Sequence, residues 1–113
     1  MADNKIELYR GDNADVQCVV VDVDGTAVNI TGASIKFTVR SIQALTQQFQ
    51  KTTAAGTVVI TGAAAGKCVA YVLAADSAVM LPGRYMYDFE FTLATKVFTV
   101  SNEFTVLQDV TYV

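Results

Sequence analysis

The sequence contains no histidine and no tryptophan, a single proline, and two cysteines among 113 residues. Without histidine the chain lacks the side chain most often used as a general base, and a leading zinc ligand. Two cysteines are no disulfide framework of the kind that staples small secreted domains. Cys18 and Cys68 could close one inter-sheet bridge, but a pair of buried free thiols is the simpler reading. Charge is scarce as well. Only 17% of residues are charged, and the eight bases form no cluster that would neutralise a phosphate backbone, so nucleic acid is not an expected partner. No apolar run approaches a membrane span, and Met1-Ala2-Asp3-Asn4-Lys5 lacks the apolar core of a secretory signal. No membrane partner is expected, and the chain reads as soluble and made in the cytoplasm.

What the chain has is β-forming side chains. Hydrophobic residues make up 52% of it, with five Tyr, six Phe and many Val and Thr, enough for one real core and too little length for two. Residues 1–113 are therefore read as a single domain. Ile6 to Arg10 and Val16 to Val21 read as two opening strands around the turn Gly11-Asp12-Asn13. Asp24-Gly25 sets a hairpin, after which Ala27 to Ile30 returns as a short strand. Ser34 to Arg40 alternates, with Ile35, Phe37 and Val39 on one face. From Ser41 to Gly56 a short helix and a loop with an extended stretch near Phe49 are both open. Val58 to Thr61 and Lys67 to Leu73 read as strands, and Ala75 to Met80 as one helical turn stopped by Pro82-Gly83. Arg84 to Thr92 alternates most regularly, with Tyr85, Tyr87, Phe89 and Phe91 sharing the core face. Val97 to Val100, Glu103 to Leu107 and Val110 to Val113 complete about eight to ten short strands, with Ser101-Asn102 expected to turn the chain. With no βαβ rhythm, this predicts an all-β antiparallel sandwich.

The motifs that suggest chemistry have simpler readings. The apolar strand ending in Asp22-Val23-Asp24-Gly25-Thr26 matches the nucleophile motif of haloacid-dehalogenase-type phosphatases. That mechanism also needs later acids, a lysine and a doubly wound parallel sheet, whereas Asp-Gly in a hairpin needs nothing more. Asp12, Asp15, Asp22 and Asp24 fall short of a calcium loop. The Tyr and Phe side chains could line a carbohydrate platform, but their alternation with polar partners favours core packing. No residue is assigned as catalytic, cofactor-binding or metal-ligating, and the chain is read as a non-enzyme without cofactors. Leu81-Pro82-Gly83-Arg84-Tyr85 has the pattern of a tyrosine corner, in which a Tyr near a strand start closes one end of a sandwich. Val16 to Val21 and Cys68 to Leu73 are apolar on both faces, so their outer surface is expected to be covered by residues 41–56 or, preferably, by another subunit.

Ile6-Glu7-Leu8-Tyr9-Arg10-Gly11-Asp12, the stretch Asp22 to Thr38 and Leu81 to Phe91 together resemble the immunoglobulin-like modules of tailed-phage virion proteins, such as the N-terminal domain of baseplate upper proteins. The resemblance covers most of the chain and implies an immunoglobulin-like sandwich that builds a virus particle. It implies partners among capsid or tail proteins, homo-oligomeric contacts, and a virion location after synthesis in the host cytoplasm. An ending at Val113 favours a small capsid decoration or tail accessory protein over a full baseplate arm. Arg10-Gly11-Asp12, an adhesion triplet elsewhere, is expected to serve as a turn.

Overall fold

The computed structural model describes residues 5–94 and 96–108. Eight strands follow in chain order: β1 (Ile6–Tyr9), β2 (Ala14–Val19), β3 (Ser34–Ser41), β4 (Gln47–Thr52), β5 (Val58–Gly62), β6 (Lys67–Val72), β7 (Gly83–Thr92) and β8 (Val97–Leu107). A 3-10 turn over Ala63–Ala65 links β5 to β6, and a short helix α1 (Ala74–Ala78) links β6 to β7. A five-stranded sheet of order β1-β8-β7-β3-β4 faces a three-stranded sheet of order β2-β6-β5. Every pairing is antiparallel except β1 with β8, where the chain's first strand runs parallel to its last described one.

Alternation decides which face of each strand is buried. In β7, Tyr85, Tyr87, Phe89 and Phe91 point inward, and in β3 Ile35, Phe37 and Val39 meet them. Phe104 and Val106 of β8 extend this layer, and Val16, Cys18, Val58, Cys68, Ala70 and Val72 close it from the smaller sheet. The rings interlock: Phe37 lies 4.8 Å from Phe89 and 5.5 Å from Tyr87 between centroids, both tilted, which aromatic quadrupoles favour over face-to-face stacking.

Several expectations change. Ala27 to Ile30 is not a strand; only the isolated bridge Val21 to Ala27 forms, and Ile30 plugs the core from a loop. The stretch from Ser41 to Gly56 resolves as an extended strand around Phe49, because β3 offers it a ladder. Ser101-Asn102 does not turn the chain. Both residues lie in a register with β7 that runs unbroken from Val97 to Val106, so tertiary pairing overrides their turn chemistry. β2 is not apolar on both faces in practice: Val16 and Cys18 point inward, and Asp15, Gln17 and Val19 outward. Residues 47–52 belong to the larger sheet and so do not cover the outer face of β2. The expected strand Val110 to Val113 lies outside the described residues.

Candidate functional site

Arg10-Gly11-Asp12 forms the corner between β1 and β2, and α1 is fastened to it. The Gly11 N–H donates to Ser77 Oγ at 2.9 Å, and Ser77 Oγ donates to the Asp12 carbonyl at 2.8 Å. Arg10 Nε donates to the Ala78 carbonyl at 3.0 Å. The triplet is thus tied into the sandwich, and the adhesion reading loses the free loop it would use.

Asp22 holds its own hairpin. Its Oδ1 accepts the Asp24 and Thr26 N–H groups at 2.9 and 3.0 Å, while its N–H donates to the Thr26 carbonyl. A carboxylate committed to a turn at the end of an antiparallel sheet is not the nucleophile of a doubly wound phosphatase. Asp12 and Asp15 sit with the β1–β2 corner and β2, apart from the Asp22 and Asp24 hairpin. Among the described residues no three His, Cys, Asp or Glu side chains gather closely enough to hold a metal.

Cys18 and Cys68 face each other across the β2–β6 ladder, so they belong to one sheet and cannot form the inter-sheet bridge considered from the sequence. Both are buried free thiols. Hydrogen bonding with Cys18, together with burial, pushes the Cys68 thiol up and keeps it protonated.

Tyr85 makes the corner its sequence context suggests: its hydroxyl donates to the Leu81 carbonyl at 2.7 Å. Tyr85, Tyr87, Phe89, Phe91, Phe37 and Phe104 are all buried, so these rings serve the core, while Tyr9 is exposed.

What remains for function is surface. The outer face of the larger sheet carries a polar trough of about 240 Å³ lined by Lys36, Thr38, Arg40, Gln50, Asp88 and Glu90. Burial there pushes the Asp88 carboxyl up, with Arg40 opposing and Glu90 adding to the shift. The hairpin and β8 enclose a largely apolar groove of about 390 Å³, lined by Val20, Val21, Val23, Val28, Phe98 and Val100 together with Asp22, Lys96 and Thr99. Val21, Val23 and Val97 stay exposed around it. The sequence reading missed this groove because its two walls come from distant parts of the chain. The one available signal was an excess of valine around the Asp22 hairpin, where a turn needs none.

Two facing sheets, a tyrosine corner and a ring-filled interior define an immunoglobulin-like β-sandwich. No family model matches the sequence, and no curated protein is similar to it in sequence. Among solved structures, the N-terminal domain of phage TP901-1 ORF48 has the same fold, with a TM-score of 0.64 over 95% of this chain and 90% of that one, at 18% identity. The likeness to virion modules noted in the sequence thus extends to the fold. No helix among the described residues is long and apolar enough to cross a membrane.

Proposed function

We propose that the protein is a non-enzymatic structural component of a phage particle, acting through contacts with other virion proteins and with copies of itself. The single observation that carries this reading is the shared fold with a phage domain over nearly the full length of both chains. The residues point the same way. Polar groups that would serve catalysis elsewhere, Asp22 and Ser77, are here committed to holding turns and corners. A largely apolar groove open to solvent is suited to protein. The protein is made in the host cytoplasm and incorporated into the virion, at the capsid as decoration or at the tail or baseplate.

Mass spectrometry of density-purified particles from the parent phage tests this, with heads and tails separated beforehand. The protein is expected at a stoichiometry that matches a multiple of particle symmetry, in one of the two fractions. Its absence from particles that carry their other structural proteins overturns the reading.

A further inference from the structure

We propose that the edge of β8 from Val97 to Ser101, which no strand of the described residues covers, pairs antiparallel with the same edge of a second copy, joining the two larger sheets across a two-fold axis at Thr99.

The ladder directions establish which backbone groups are available. On the side of β1, the Leu107 carbonyl accepts the Arg10 N–H at 2.9 Å. On the side of β7, Lys96 and Leu93 exchange both their bonds, at 2.8 and 3.3 Å. Successive residues of a strand aim their N–H and C=O groups at opposite neighbours. Odd-numbered positions of β8 therefore face away from β7. β1 covers only Phe104 to Leu107. Val97, Thr99 and Ser101 thus aim their backbone groups at an edge that no strand of the described residues occupies, and all three residues are exposed.

Three of the other sheet edges, β4, β5 and β2, are blunted in the ways that prevent pairing. β4 carries a bulge and turns Lys51 inward, β5 carries a bulge between Ile60 and Gly62, and β2 bears Asp15. The stretch Val97 to Asn102 has no charge, no proline and no bulge, and its ladder with β7 is unbroken. Beneath it lies the apolar groove, so a strand added to β8 would lower alternate side chains into a prepared slot.

The occupant follows from self-complementarity. About an axis at Thr99, Val97 lies opposite Ser101 of the partner copy, and Thr99 opposite its own counterpart, so each open residue meets another. Phe98 then lies opposite the partner's Val100, an aromatic and β-branched pair of the favourable kind, inside the groove. Because Val97 to Asn102 carries no charged side chain, no like charges meet although each copy has a net charge of −3. The pairing deepens the virion reading but stands on strand geometry alone.

Sedimentation of the full chain from micromolar to near-millimolar concentration should show a monomer–dimer equilibrium, with the Val97, Thr99 and Ser101 amides protected from exchange in the dimer only. Thr99→Pro removes one edge donor without touching the β7 ladder and should raise the dissociation constant by on the order of tenfold, with the monomer still folded. Thr99→Cys should cross-link to itself under mild oxidation, whereas Glu103→Cys, placed away from the axis, should not. A chain that stays monomeric throughout, or a dimer insensitive to Thr99→Pro and cross-linking equally well through both cysteines, overturns the proposal. Protection of those amides in the monomer assigns the edge to an intrachain segment and overturns it too. None of these outcomes bears on whether the protein is found in particles.

Discussion

Lys51 Nζ lies 2.6 Å from Asp76 Oδ2, joining the inner face of an edge strand to helix α1. The same Asp76 oxygen accepts the Leu73 N–H at 2.8 Å, so one carboxylate both starts the helix and receives the lysine. The lysine ammonium also lies 5.6 Å from the Phe49 ring centroid, over a face with negative potential. Both charges are largely withdrawn from water, which makes the pair costly to break from one side. Asp76→Ala should therefore destabilise the protein by about 3 kcal/mol in urea unfolding. The double replacement Lys51→Met with Asp76→Asn should recover a good part of that loss, since no unpaired charge is left behind.

Ser77 is fully buried, and its hydroxyl connects Gly11 to Asp12. Ser77→Ala leaves the Gly11 N–H and the Asp12 carbonyl at the part-buried β1–β2 corner without their partner, at a cost of about 1 kcal/mol. Hydrogen exchange distinguishes this from a general loss of packing. Protection should fall first at Gly11 and along α1, while the β3–β7 ladder keeps its rates.

Gly66 follows the 3-10 turn with φ of 70°, and a Cβ built there would fall 2.5 Å from the Val20 carbonyl oxygen and 2.8 Å from that of Val28. Both obstacles are backbone, so nothing flexible can yield. Gly66→Ala combines a left-handed conformation with a steric clash and should cost on the order of 3 kcal/mol. Gly25→Ala, with positive φ but open space around the Cβ, should cost about 1 kcal/mol. Comparing the two midpoints in urea separates crowding from backbone strain.

The legible parts of this fold were those where local pattern and tertiary demand agree. Tyr85 to Phe91 alternates without a break, and the structure buries that face without exception. The tyrosine corner was legible because its donor and acceptor, Tyr85 and Leu81, are close in sequence. Ser101-Asn102 misled because their turn chemistry is a local preference, while Asp88 and Tyr87 of β7 supply ladder partners from elsewhere in the chain. Lys51 was illegible for a similar reason. A lysine in an extended segment signals a wet face, and only the distant Asp76 makes an inward one tolerable. The groove and open edge, which carry the proposed contacts, depend on how β8 lies against the Asp22 hairpin, and no sequence window contains both.

Asp88 makes a pH-dependent case with a definite sign. Its carboxyl is pushed above the ordinary aspartate value by burial in the polar trough, with Arg40 opposing and Glu90 adding to the rise. A raised pKa in the folded state means that folding favours the protonated form. The resulting contribution is fully present below the unfolded-state pKa and is lost as pH rises through the folded-state value. Asp88→Asn mimics the protonated form, so it should raise the melting temperature at neutral pH. The gain should stay below about 1 kcal/mol, since the group is partly exposed and solvent screens it. Melting both proteins at several pH values checks the sign. The advantage of the variant should shrink as pH falls through the raised value and vanish below the ordinary aspartate range. An advantage that stays constant across that window would mean that the introduced amide gains from a new hydrogen bond, with Gln50 or Thr38 as the nearby candidates in the trough.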